Sequence, residues 1–345
     1  MPAYSTLLSE LNIYLHARMQ PVQHDHKIQS IQYLRGLAAL GVVFCHYGSN
    51  LTLYPRLSAF FNFGQSAVYV FFLISGFIIA YALIKSGYTT KQFFTFLFKR
   101  SVRIDPAYYL VILLTLLLFQ LLSHIPGYRG TGIPFIPAQL FANMFYFAPF
   151  TKYPFYNSVF WTLSVEFQFY VVIGLLYFLF ESKWYRKGFL LMFSLTSLVH
   201  WPNAYFLVFH YASIFAAGIS LVMLYQERIW SNLVLPVLFL GMAALQFGPP
   251  VFILLVSASV AILYYDRPSR VLNFLGMISY SLYLTHGLVL IVFLGILKRW
   301  SIRPDNRPLW WLFAEVSVAV MVACLFYVII ERPSLKLSKR LVYKK

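Results

Sequence analysis

The chain has 345 residues, 60% of them hydrophobic and only 11% charged, with a formal net charge of +17. Soluble domains carry about a quarter charged residues, so this composition excludes one and predicts an all-α, polytopic membrane protein. Basic residues flanking apolar spans meet anionic lipid, and nucleic acid is not expected as a partner.

In chain order, residues 1–29 form a cytoplasmic N-terminal segment in which Thr6–Arg18 reads as a short interfacial helix. The opening Met1 to Glu10 has no basic stretch leading into an apolar core, so a cleaved signal peptide is not expected. An embedded domain, 30–333, then carries about ten predicted spans, at about 30–48, 66–84, 106–123, 158–180, 188–200, 205–225, 232–247, 250–264, 272–297 and 309–330. The spans 188–200, 232–247 and 250–264 are short, and two of them are candidates for a re-entrant pair. Residues 334–345 form a basic cytoplasmic tail.

Loop charge orients these spans. With the N-terminus inside, the cytoplasmic segments hold nineteen Lys and Arg and the outer ones seven, Arg35 lying within the first span. The positive-inside rule therefore predicts both termini in the cytoplasm, with Lys298 to Arg307 as the local exception. Cys45 and Cys324 fall inside spans and read as small hydrophobes rather than a disulfide. No Cys/His cluster has metal-ligand spacing, so no metal is expected.

Ionisable groups inside the spans are the candidate site, because their insertion is costly. Arg35 and His46 are eleven residues apart. They share one helical face at a separation of about 16 Å along the axis. Glu166 sits about 12 Å deep in the fourth span. His286 in the ninth span and Glu315 in the tenth join His46 and Glu166 in the outer half. Arg35 lies near the inner end, and Arg100 and Arg103 share a face just before the third span. Guanidiniums suit bidentate phosphate contacts. The bland readings are a cytoplasmic anchor for Arg100 and Arg103, snorkelling for Arg35, and interhelical hydrogen bonds for His286 and Glu315. His124, His200 and His210 occupy cheap interfacial positions. The outer loop, about 124–157, is rich in Pro and aromatics; both sugar stacking and an interfacial belt fit it.

Five segments match a family pattern in order. They are Tyr33-Leu-Arg35-Gly36 through His46, Phe71-Phe72-Leu-Ile-Ser75-Gly76-Phe77, Lys99-Arg100-Ser-Val-Arg103-Ile-Asp-Pro106-Ala-Tyr108, Phe160-Trp161-Thr162-Leu163-Ser164-Val165-Glu166-Phe-Gln168-Phe-Tyr170, and Ile278-Ser279-Tyr280-Ser281-Leu282-Tyr283-Leu284-Thr-His286. Glu331-Arg332-Pro333 closes the pattern. Together they resemble the acyltransferase 3 family, integral-membrane proteins that O-acylate carbohydrates. The resemblance implies a bacterial inner-membrane enzyme using an acyl-CoA, usually acetyl-CoA, as donor cosubstrate, with no permanently bound cofactor. The acceptor it implies is a glycan hydroxyl, as of O-antigen, exopolysaccharide or lipo-oligosaccharide. It implies functional roles for Arg35, His46, Arg100, Arg103 and Glu166, and points to Tyr283 and His286. Two positions depart from the family pattern. Tyr69 stands where relatives often have an acidic residue, and Asp105 where they have an apolar one before the proline. No esterase-like domain is expected after Pro333.

O-acylation needs a base for the attacking hydroxyl, and an imidazole titrates near the working pH. His46 is the expected base, with Glu166 orienting it or relaying its proton; an acyl-His46 intermediate is the covalent variant. Arg35, Arg100 and Arg103 would bind CoA phosphates, and Tyr170 and Tyr283 would line the cavity. Embedded His, Glu and Arg equally suit a transporter or flippase of a glycan or lipid-linked sugar.

Overall fold

The computed structural model describes residues 28–49, 51–124, 134–180, 182–299, 303 and 307–341, and among them every regular element is helical. The predicted Thr6–Arg18 helix, residues 125–133 of the predicted outer loop and the end of the tail lie outside the described residues, as do 300–302 and 304–306 between the basic residues of the Lys298 to Arg307 cluster. The helices are α1 (Gln29–Gly48), α2 (Pro55–Asn62), α3 (Ala67–Lys85), α4 (Phe93–Ser123), α5 (Pro137–Met144), α6 (Phe160–Leu176), α7 (Lys183–Leu195), α8 (Ala212–Gln226), α9 (Val234–Phe247), α10 (Pro249–Tyr264), α11 (Arg270–Arg299), α12 (Leu309–Phe326) and α13 (Arg332–Arg340). A π-helical turn, Tyr327–Glu331, joins the last two.

Among the described residues, seven helical stretches are long and apolar enough to cross a membrane: Pro55–Lys85, Thr90–Ser123, Phe160–Phe180, Val208–Gln226, Trp230–Phe247, Arg270–Leu297 and Leu309–Arg340. Each contains or overlaps one predicted span. The other three predicted spans have identifiable reasons for standing apart. In α1, Gln29, Gln32, Arg35 and His46 dilute an otherwise apolar run. The α10 helix has 16 residues and α7 only 13, against about 20 for a full crossing. A single residue, Gly248 at φ +86°, connects α9 to α10, a backbone conformation that glycine adopts without a Cβ penalty. This makes the two short spans a tight antiparallel hairpin.

The third predicted span starts at about Pro106. The helix instead begins at Phe93, after a capping box between Thr89 and Gln92, and holds Pro106 in its interior. The Tyr280 hydroxyl donates to the carbonyl of Ile104 at 2.9 Å, just before this proline. Arg100 and Arg103 are thus well inside a helix rather than at its mouth.

Packing follows from small residues at crossings, since apolar lipid offers no drive for helix association beyond close contact. The α1–α11 crossing has the Gly36 and Gly276 backbones so close that a Cβ on either would overlap its neighbour. This contact fixes the Arg35 turn of α1 against the Ser279–Tyr283 turns of α11. The α8 helix is buried on nearly all sides, whereas α4 turns Leu113, Leu117 and Leu121 outward. A helix apolar all round belongs inside the bundle, and the exposed leucines suit a lipid face.

Candidate active site

Five helices, α1, α3, α4, α6 and α11, meet the π-helical turn around an inner cavity of about 100 Å³. Its polar lining comprises Arg35, Ser75, Arg100, Arg103, Thr162, Glu166, Tyr170, Ser279, Tyr280, Tyr283 and Glu331. Three guanidiniums against two carboxylates give it an excess of positive groups. Glu166 is held firmly: its Oε1 accepts from Ser75 Oγ at 2.5 Å and from the Tyr170 hydroxyl at 2.6 Å. Tyr170 lies one turn beyond Glu166 on α6, so its bond comes from helical spacing. The Arg100 guanidinium lies 5.6 Å from the Phe96 ring centre and 5.7 Å from that of Tyr170, within cation–π range. Arg35 feels the charges of Arg103, Glu331 and Glu166.

Glu331 owes its position to the π turn, which inserts an extra residue and re-aims side chains, a feature often found at functional sites. Its buried carboxylate accepts from the Ser281 hydroxyl at 2.6 Å and the Ser281 backbone N–H at 3.1 Å. The other face of the carboxylate's turn joins the cavity wall.

A second cavity of about 610 Å³, toward the side predicted as outer, is lined by His46, Gln65, Lys152, Tyr153, Phe155, Trp161, Asn203, Tyr205, Phe206 and Tyr283, among others. The loop from the predicted 124–157 region forms one wall. Buried Asn143 organises it: its Nδ2 donates to the carbonyls of Gln139 and Pro154, and its Oδ1 accepts the Tyr156 N–H at 3.0 Å. Trp161 and Tyr205 pack with ring centres 4.3 Å apart.

The two cavities share one lining residue, Tyr283. Its hydroxyl lies 2.6 Å from Thr162 Oγ1 and donates to the Val159 carbonyl at 3.2 Å. One turn further along α11, fully buried His286 packs its ring 5.1 Å from the His46 ring, centre to centre.

A family described as an acyltransferase domain matches residues 28–328, most of the chain. The chain belongs to the acyltransferase 3 family. The chain also resembles Nodulation protein 10 of Rhizobium leguminosarum bv. viciae, with 32% identity over 192 residues. That alignment covers 50% of this chain and 49% of the relative, so the chain spans about half the length of the curated relative it matches. No solved structure matches.

The fold brings together Arg35, Arg100, Arg103, Glu166 and Tyr170, all expected from sequence. His46 and Glu166 do not meet: no hydrogen bond joins them, and they line different cavities. Position along each span predicts the outer half for both, but such a position carries no information about azimuth. Glu315 is elsewhere again, in a buried ion pair with Arg307 at 3.2 Å and accepting from Trp311 Nε1 at 3.0 Å. Arg307 also donates to the Tyr47 carbonyl, and the Tyr47 hydroxyl to that of His286 at 2.8 Å. This network braces the helix end that carries His46. His210 pairs with Gln246, His124 bonds the Gln120 carbonyl, and His200 is exposed.

Of the two departures from the family pattern, Asp105 accepts from Tyr146 at 2.8 Å and Tyr109 at 3.3 Å. Tyr146 has φ +61°, a left-handed backbone unusual for a bulky residue, so Asp105 anchors a strained turn of the outer loop. Tyr69 packs on Phe247 at 4.7 Å and Tyr211 at 6.1 Å, an aromatic contact rather than a cavity wall. Sequence reasoning passed over Ser75, Thr162, Tyr280 and Glu331 as site residues. Each stands in a family segment, which was the available signal.

Proposed function

We propose that this chain spans the membrane about ten times with both termini in the cytoplasm, and moves an acyl group from cytoplasmic acyl-CoA to a glycan hydroxyl. Acetyl is the proposed group and a bacterial inner membrane the proposed location. The carrying observation is the pair of cavities sharing Tyr283, one rich in guanidinium and one containing His46. Loop charge supports the orientation, since nineteen Lys and Arg fall on the side proposed as cytoplasmic.

In this reading Arg35, Arg100 and Arg103 hold donor phosphates, as planar guanidiniums do well. The inner cavity is small for a whole CoA, so its three guanidiniums meet the diphosphate linkage and the head of the pantetheine arm while the adenosine stays at the cytoplasmic mouth. Glu166, fixed by Ser75 and Tyr170, keeps the arginines apart and in place from the donor side. The acceptor sugar lies in the outer cavity, where Trp161, Tyr205 and Tyr153 offer flat apolar faces and Asn203 and Gln65 offer hydrogen bonds. His46 takes the hydroxyl proton as the oxygen attacks the thioester carbonyl. The new C–O bond forms, the C–S bond breaks, and the proton passes from His46 to the departing thiolate. Transfer through an acyl-His46 intermediate ends in the same products.

Reconstituted protein with labelled acetyl-CoA on one face tests this directly. Label appearing on a glycan supports acyl transfer. Glycan movement without label supports a transporter or flippase instead.

A further inference from the structure

His286 is fully buried, and its two ring nitrogens have different surroundings. Nδ1 lies 2.7 Å from the carbonyl of Tyr283 and 3.2 Å from that of Leu282. Carbonyls only accept, so these contacts place the proton on Nδ1. Nε2 is then a bare lone pair, and it has no hydrogen-bond partner. A buried acceptor without a partner is costly, and in a native protein it calls for an explanation. Three rings pack on His286. The Tyr47 hydroxyl is committed to the His286 carbonyl, and the Tyr283 hydroxyl to Thr162 and Val159. The third ring is His46, whose centre lies 5.1 Å away with the planes tilted by 50°. That spacing is what an N–H···N bond of about 2.9 Å between two five-membered rings spans. No such bond is made as the rings stand, and the partly buried His46 ring has to turn to make it.

We propose that His286 is the positioning residue for His46: its Nε2 accepts a hydrogen bond from one His46 N–H, which fixes the tautomer and directs the other nitrogen at the acceptor hydroxyl. His286 keeps its own proton on Nδ1 throughout. When His46 takes the hydroxyl proton, both its nitrogens carry hydrogen, and the imidazolium donates one of them to Nε2 in a charge-assisted bond. This inference rests on the reading of His46 as the base, and assigns to His286 the orienting part that sequence reasoning gave to Glu166.

Two substitutions separate positioning from packing. Asn carries its amide near the Nδ1 position, so His286→Asn keeps a donor to the carbonyls of the preceding turn and loses the acceptor at Nε2. Gln carries its amide near the Nε2 position, so His286→Gln restores an oxygen acceptor there. Purified variants in nanodiscs are assayed for acetyl transfer from labelled acetyl-CoA, alongside their thermal unfolding and His46→Ala. The expected result is a kcat about tenfold to hundredfold lower in His286→Asn, with an unchanged KM for acetyl-CoA, and substantial recovery of kcat in His286→Gln. His46→Ala is inactive. Equal impairment of the Asn and Gln variants, or a normal kcat in folded His286→Asn, overturns the positioning role while His46 stays the base. Activity retained in His46→Ala overturns the underlying reading and this inference with it.

Discussion

Ser75→Ala isolates the bond that ties Glu166 to a neighbouring helix. Glu166 Oε1 has two donors, Tyr170 at 2.6 Å on the same helix and Ser75 at 2.5 Å across the α3–α6 contact. Removing Ser75 Oγ deletes only the interhelical one and introduces no overlap. A hydrogen bond to a charged group contributes about 1.5–3 kcal/mol. If the whole of that holds the carboxylate in its working position, the turnover rate falls by about tenfold to 150-fold. Tyr170→Phe removes the other bond but keeps the ring beneath Arg100, whose guanidinium is 5.7 Å from its centre. The two donors share one acceptor atom, so the double variant departs from additivity by about 0.5–3 kcal/mol. Single-turnover acetyl transfer in nanodiscs, with acetyl-CoA titrated, measures all three. Ser75→Ala with rate and donor KM within ~twofold of wild type refutes the reasoning, because a change that small is the mark of an unimportant contact.

Other substitutions probe the proposed donor cavity, the proposed acceptor cavity and the brace. Arg103→Gln raises the KM for acetyl-CoA by about tenfold to hundredfold while leaving that for the glycan near wild type, as donor and acceptor titrations will show. Trp161→Ala raises the glycan KM by about threefold to tenfold and spares the donor KM, the reverse pattern. Glu315→Gln leaves buried Arg307 without its counter-ion and destabilises the protein by about 3–5 kcal/mol in thermal or denaturant unfolding, whereas Arg307→Met with Glu315→Leu recovers most of that loss.

The helical bundle was legible because apolar runs bounded by Lys, Arg, Pro and Gly carry their own length and period. The arginine cluster was legible too, since Arg100 and Arg103 must share a face at that spacing. What escaped was lateral placement. His46 and Glu166 are both predicted in the outer half, but the Gly36–Gly276 crossing turns α1 toward α11, so the partner ring that His46 meets is His286. Ser75, Thr162 and Tyr280 are small or amphipathic groups in apolar helices, indistinguishable in sequence from ordinary interhelical hydrogen bonders. Glu331 depends on a π turn that no local residue pattern announces. The span predicted at about 106–123 also leaves out the thirteen residues of helix that precede Pro106, where Lys99, Arg100 and Arg103 dilute the apolar run.

The central claim is that His46 performs transfer between a cytoplasmic donor and an acceptor on the other face. It is tested most directly in sealed vesicles of uniform orientation, with labelled acetyl-CoA on the cytoplasmic face and glycan on the opposite one. The account predicts labelled glycan with the wild-type protein and none with folded His46→Ala. Labelled glycan formed at the wild-type rate by His46→Ala, or only when donor and glycan share one face, contradicts it.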